Sequence, residues 1–251
     1  MQDIFKKYLE KAMLVVLKTK VMQYVSDKGR EWIVNNTGRC GINWMETDID
    51  IQPMRIESQF KFIDGIKASI WEYCLCDLII IWNDFLEEII NKLLDEYLNG
   101  TINIEKSIVV KYKATISLED IVSNSKDKWK ESFIKDFNFE TYKDKIKIIE
   151  KISGKSLPLD IKLQIFKAIE IRNCIQHHNC ILNDDTLKKL GCNQIKIYNN
   201  DGTKKVISLN SKIELTQAEI MSTRNALISA VAYFCNLKHT DWKLDKFTDS
   251  I

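Results

Sequence analysis

Residues 161–183 read IKLQIFKAIEIRNCIQHHNCILN, and this stretch guides the interpretation of the whole chain. Its first part has the pattern of an amphipathic helix, with apolar residues at helical spacings: Ile161, Leu163, Ile165, Phe166, Ile169 and Cys174. The apolar pattern is then interrupted by Arg172, Asn173, Gln176, His177 and His178. An arginine and two histidines therefore lie together where a helix leaves the core, which makes them candidates for a functional site.

The spacing of Arg172 and His177 limits how they can cooperate. Five residues on an α-helix separate two side chains by about 140° around the axis. Both cannot point at one small ligand from a straight helix. Either the helix ends between them, or a second copy of the helix supplies the other half of the site. A two-fold dimer would do this, because its interface brings the same patch of both copies together.

Composition is typical of one globular domain, or of one domain with an extension. The chain has 251 residues, 45% of them hydrophobic, and its net charge of +2 lacks the global basic signature of a nucleic-acid binder. Its seven cysteines are scattered without a CxxC pair, which indicates free thiols in a reducing cytoplasm. The beginning of the chain does not read as a signal peptide, and the most apolar run, Cys74–Trp82, is too short to span a membrane.

The hydrophobic periodicity predicts a mainly α-helical fold with one β-hairpin. The predicted helices, in chain order, are 3–27 (ended by Gly29), 56–98 with a candidate break at Gly65, 118–137, 140–153, a central helix opened by Pro158 and Asp160, a short helix capped by Asp184 and ended by Gly191, and a last helix from the capping box at Thr216 to about 237. Alternating runs at 194–198 and 205–209 flank Asn199-Asn-Asp-Gly202 and predict the hairpin. Residues 29–54 read as a loop that Trp32 and Trp44 fix to the body, and 107–116 as a strand or an extended loop.

The 56–98 helix is apolar over more than half of its circumference. Such a helix is central to a bundle, or a partner covers its second side. We therefore predict a homodimer through this helix and the helix of Arg172. Asp77 lies within the apolar face and is interpreted either as a hydrogen-bonded core carboxylate or as a group that orients Arg172.

Lysines are frequent between residues 126 and 147, but nearly as many acids accompany them. A solvated face is the first interpretation of this region, and a patch that follows RNA is the alternative.

The sequence lacks the common motifs for nucleotide binding and for metalloprotease chemistry. GxGxxG, Walker A and HExxH patterns are absent, so no cofactor is predicted. Cys174, His177 and Cys180 have zinc-like spacing, but a closed site would need His239 or Cys192 as its fourth ligand. A zinc-stabilised helical adaptor is therefore kept as an alternative.

Arg172-Asn-Cys-Ile-Gln-His177 resembles the Arg-polar-X-X-X-His signature of HEPN domains, which are all-helical domains of prokaryotic toxins, defence nucleases and RNA-processing factors. The order of elements from about Arg55 to Leu237 is also similar to that of the larger HEPN proteins. The resemblance implies a HEPN-like helical bundle over 55–251 with a small hairpin insertion, preceded by an N-terminal helical extension over 1–54.

The resemblance also implies a function. It implies a metal-independent endoribonuclease that leaves 2′,3′-cyclic phosphate and 5′-hydroxyl ends and acts as a toxin or phage-defence effector, with a cognate antitoxin or defence protein as a partner. Arg172 and His177 match the signature and Asn173 its polar position, while His178 also fits the variable spacing of the family. A non-catalytic HEPN-like module that binds RNA or protein is the alternative. Some HEPN toxins carry a regulatory tyrosine two residues after the histidine, but Asn179 (or Cys180) stands there.

Overall fold

The structure, a computed structural model, describes residues 1–35, 56–102 and 125–237. Within these ranges the elements are α1 (Gln2–Asn35), α2 (Ile56–Leu98), α3 (Ser125–Phe139), α4 (Tyr142–Ser153), α5 (Leu159–His177), α6 (Asp184–Leu190), β1 (Gln194–Tyr198), β2 (Lys204–Ser208) and α7 (Gln217–Phe234). The described part of the chain is thus predominantly helical with one small antiparallel sheet, as predicted. The HEPN topology stays a prediction.

Several predictions fall outside the described residues. These are the strand or loop at 107–116, the start of the predicted helix 118–137, the placement of Trp44 and of His239, and the domain boundary at residue 54.

The helices contribute to two compact units. The first unit takes the described residues of Met1–Lys11, Ile79–Glu170 and Thr223–Ile251, and the second takes those of Ala12–Leu78 and Ile171–Ser222. In the core of the first unit, Trp82 stacks on Phe85 at 5.3 Å between ring centroids, and Tyr8 meets Phe85 edge-on at 5.7 Å. Offset and edge-on rings add a geometric preference to the burial of apolar area.

The second unit contains the hairpin and the end of α5. Residue Gln194 of β1 pairs with Ser208 of β2, and this antiparallel register places Ile195 opposite Ile207. Both isoleucines are buried, so one face of the hairpin packs inward while the alternate residues face outward. The predicted hairpin is confirmed, with the second strand shifted by one residue.

Two helices end at a glycine. Gly154 and Gly191 both adopt left-handed φ angles of 67° and end α4 and α6, the second of them as predicted. The cap of α6 is one residue earlier than predicted, because the side chain of Asn183 accepts the N–H of Thr186 at 2.8 Å. Asp184 is instead the first residue of the helix.

The predicted end of the first helix at Gly29 is wrong, because α1 continues to Asn35. A glycine inside a helix costs about 1 kcal/mol relative to alanine, and packing against α2 offsets that cost. The next residue, Arg30, forms an ion pair with Asp64 and lies 5.6 Å from the ring centre of Phe60. Trp32, predicted in a loop, therefore lies on α1.

Lys145 departs from the predicted solvated lysine face. Its ammonium group is buried, donates to Oδ1 of Asn83 at 2.8 Å and lies 5.4 Å from the ring centre of Phe137. Burial lowers the pKa of Lys145, and the charge of Glu87 opposes this shift. The other lysines of this region include Lys135, Lys143 and Lys147, which are exposed.

The predicted capping box at the start of α7 is present only in part. The backbone N–H of Glu219 donates to Oγ1 of Thr216 at 3.2 Å. The buried carboxylate of Glu219 accepts the N–H of Tyr198 at 2.9 Å, and thereby ties the hairpin to the helix. This acid thus serves the tertiary structure of the second unit.

Glu219→Ala is expected to lower the free energy of unfolding by about 1–3 kcal/mol, because the Tyr198 N–H would lose a charged acceptor. The matched control is Glu214→Ala, which removes an exposed ion pair with Lys205 at 3.2 Å and should change stability by less than about 0.5 kcal/mol. Denaturant unfolding of both variants measures the difference. Equal losses would contradict the role assigned to Glu219.

Candidate active site

The C-terminal end of α5 is held by two consecutive left-handed residues. Asn179 and Cys180 have φ angles of 50° and 63°, and the N–H of Cys180 donates to the carbonyl of Cys174 at 3.1 Å. The chain then pairs with residues 210–213, since Ile213 N–H donates to the Cys180 carbonyl at 2.7 Å. Left-handed backbone is tolerable for asparagine and costly for cysteine, so surrounding contacts determine this turn. His177 and His178 are thus carried at a fixed helix end.

Arg172 lies at the edge of the core rather than in open solvent. Its Nη1 donates to Oδ1 of Asn173 at 3.3 Å. Its Nε is buried and has no hydrogen-bond partner among the described residues. Buried donors are normally paired, so this unpaired Nε is an exception that carries a desolvation cost in the folded state.

The charge of Arg172 also acts on α2. Burial raises the pKa of the Cys76 thiol, and the nearby guanidinium of Arg172 opposes that rise. Arg172 therefore lies close to the Cys76 turn of α2, inside the second unit.

The two histidines are both exposed, and their ring centroids are 6.4 Å apart with a 70° angle between planes. His178 lies near the start of α6. The hydrogen bond from Lys189 is the main cause that holds the pKa of Asp185 below its usual range, and His178 makes a smaller electrostatic contribution. Both imidazoles are open to a ligand from solvent.

The structure brings the predicted site residues together in pairs only. Arg172 contacts Asn173, and His177 contacts His178. Within the described residues, neither a hydrogen bond nor a ring contact joins Arg172 to either histidine. Because α5 continues through His177, the predicted alternative in which the helix ends between Arg172 and His177 is wrong. On ideal helical geometry the two residues keep their separation of about 140°.

Glu72 is a neighbour of this site that the sequence did not reveal. Its Oε1 accepts the thiol of Cys180 at 3.3 Å. Burial, aided by this carboxylate, raises the pKa of Cys180 to about 11. Glu72 and Cys76 are four residues apart, so one face of α2 meets both the Cys180 turn and Arg172. Nothing in the sequence distinguishes Glu72 from the other acids of the chain.

Asp77 does not lie in the core. Its side chain is exposed, so its interpretation as a hydrogen-bonded core carboxylate is wrong. The carboxylate found next to the turn after α5 is that of Glu72, which precedes Asp77 by five residues on α2.

The residues with zinc-like spacing have other neighbours. Sγ of Cys174 is 3.2 Å from Oγ1 of Thr186, Cys180 binds Glu72, and His177 faces solvent. In the described part of the chain, no group of three or more His, Cys, Asp or Glu side chains is arranged to hold a metal ion.

Comparisons of the chain with protein-family models, curated proteins and solved structures found no match. Across the described ranges, none of the helices combines the length and apolar character that crossing a membrane requires.

Proposed function

We propose that the chain is a metal-independent endoribonuclease of the HEPN type, acting on RNA as a toxin or phage-defence effector with an antitoxin or defence protein as a regulatory partner. The observation that supports this proposal best is the half-buried Arg172 on the same helix as two exposed histidines. A guanidinium suits a phosphate, and an accessible imidazole suits proton transfer.

The reaction uses these groups in separate roles. A neutral imidazole takes the proton of a ribose 2′-hydroxyl. We assign this role to His177, with His178 as the alternative. The 2′-oxygen forms a bond to the adjacent phosphorus, and the bond from phosphorus to the 5′-oxygen breaks. The 5′-oxygen takes up a proton, which leaves a 5′-hydroxyl and a 2′,3′-cyclic phosphate. Arg172 stabilises the charge that builds on the non-bridging oxygens, and Asn173 orients the guanidinium that it contacts.

A second copy of the chain completes the site in this proposal. Arg172 and His177 diverge by about 140° on one uninterrupted helix, so a single α5 presents only one of them to a given phosphate. In a two-fold dimer, Arg172 of one copy and His177 of the other act together.

The experiment is incubation of purified protein with total RNA in excess chelator. Cleavage should persist, the new 5′ ends should accept phosphate from a kinase without prior dephosphorylation, and the new 3′ ends should resist simple phosphatase. Products with 5′-phosphate and 3′-hydroxyl ends would contradict the mechanism.

A non-catalytic module is the second candidate, and it is favoured by the lack of contact between Arg172 and the histidines within one copy. It predicts RNA binding that weakens in Arg172→Ala, with no new RNA ends at any protein concentration. The same incubation, combined with a filter-binding measurement, separates this candidate from the nuclease.

A further inference from the structure

Helix α1 has two apolar faces, and only one of them is buried. Its inner face buries Ala12, Val15, Val16, Thr19 and Ser26. A second set of large apolar side chains is strongly exposed: Leu14 51%, Leu17 42%, Val21 52%, Met22 46%, Tyr24 63% and Val25 61%. At about 100° per residue, most of this second set lies on the side of the helix opposite the buried one. We call these six residues the α1 outer face.

The α1 outer face has the spacing of a helix–helix seam. Leu14, Leu17, Val21 and Tyr24 follow one another at intervals of three, four and three residues. This is the alternation of a and d positions by which two helices interlock. A helix face that is exposed to solvent is not expected to carry apolar residues at these intervals.

The size of the outer face fits a dimer. Six such side chains at about half exposure leave roughly 500 Å² open, taking ~150–200 Å² for a fully exposed side chain of this size. Two copies together would bury about 1,000 Å², which is near the lower limit of a specific protein interface.

We propose that a second copy of this chain covers the α1 outer face, with the two α1 helices antiparallel about a two-fold axis. Antiparallel pairing places Leu14 opposite Tyr24 and Leu17 opposite Val21, so an a position meets a d position in each layer. All four layers consist of large side chains without charge, namely Leu14, Leu17, Val21 and Tyr24. The contact is independent of any RNA cleavage.

Charge complementarity selects the antiparallel direction. Glu10 and Lys28 are both exposed on α1 and are 18 residues apart, which is about five full turns, so they share one side of the helix. The register that pairs Leu14 with Tyr24 also pairs Glu10 of one copy with Lys28 of the other. Parallel pairing would instead place each charge against its own kind. Lys28 already binds Glu31 at 2.6 Å, but this exposed pair is weak enough to exchange.

Residues 14–28 and Arg172 belong to the same compact unit, so contact through residues 14–28 brings two copies of that unit together. The surface differs from the α2 and α5 faces predicted from the sequence, and the test distinguishes the two.

The test is sedimentation velocity of the full-length chain at micromolar concentrations. Wild type should be dimeric, and Leu17→Glu/Val21→Glu should be monomeric but still folded, because both residues are already exposed. Its melting temperature should fall only by the concentration-dependent amount that dimer formation contributes. Two single substitutions are matched controls that should stay dimeric: Leu209→Glu after β2, exposed to 45%, and Tyr73→Glu on α2, exposed to 66%.

A charge exchange gives a second, independent measurement. Glu10→Lys and Lys28→Glu should each raise the dimer dissociation constant, by roughly tenfold, and the double variant should restore it. A monomeric wild type, or a dimer that survives Leu17→Glu/Val21→Glu, would overturn the proposal. Dissociation by Tyr73→Glu alone would place the contact on α2 instead. A monomeric wild type whose melting temperature falls in the α1 variants would show that another part of the same chain covers the face.

Discussion

Arg172→Ala is expected to reduce RNA cleavage by at least about 10²–10³-fold, because a positioned charge donor typically contributes this much to stabilising a transition state. Arg172→Lys should recover little of the loss, since an ammonium group lacks the planar pair of donors that a phosphate accepts. Initial rates of cleavage on a defined RNA measure both effects. The matched control is Arg30→Ala, which removes an exposed arginine of the ion pair with Asp64 and should leave the rate unchanged.

Stability provides a separate test of Arg172. Its buried Nε has no partner among the described residues, so the side chain carries an uncompensated cost in the folded state. Arg172→Met keeps most of the apolar stem and removes that donor, and its melting temperature should equal or exceed that of wild type. A variant that loses activity and unfolds together would instead indicate that Arg172 serves the end of α5 structurally.

Local rules made much of the fold predictable. Helix α2 and the ends at Gly154 and Gly191 depend on periodicity and on backbone preferences that are encoded within a few residues. The hairpin was predictable for the same reason, because turn residues separate two alternating runs. The short range of these signals is what makes them readable in a single sequence.

Contacts between distant residues were not predictable. Gly29 is a local signal to end α1, but Arg30 packs against α2 and the helix continues. Lys145 reads as a surface residue until Asn83, 62 residues earlier, receives its ammonium group. The binding of Cys180 by Glu72 spans 108 residues. Propensity gives no information on such partners.

The candidate site lies between these cases. Arg172, Asn173, His177 and His178 were identified from one short motif, but the direction of each side chain depends on where α5 ends. That end is set by the left-handed pair Asn179 and Cys180 and by their contacts with residues 210–213. Because α5 includes His177, the alternative in which the helix ends before this residue is wrong, and completion of the site by a second copy stays a proposal.

His177→Ala is expected to reduce cleavage by about 10²–10⁴-fold if His177 is the general base. His178→Ala should reduce cleavage less, because the spacing from Arg172 to His177 is the one that matches the motif. Both residues are exposed, so neither substitution should change the melting temperature. Cleavage at the wild-type rate in both Arg172→Ala and the His177→Ala/His178→Ala double variant would rule out the nuclease proposal.

Mixing two inactive variants tests whether two copies share the site. In a mixed dimer of Arg172→Ala and His177→Ala chains, one shared site combines the intact Arg172 of one copy with the intact His177 of the other. Equal mixing after dissociation should therefore restore roughly a quarter of the wild-type activity, because half of the dimers are mixed and each has one of two sites intact. If each chain held a complete site of its own, every site in the mixture would lack one residue. Differential tagging shows whether mixed dimers have formed. If they have formed and activity is not recovered, the shared site is contradicted. The losses in the separate Arg172→Ala and His177→Ala variants would still test the chemistry.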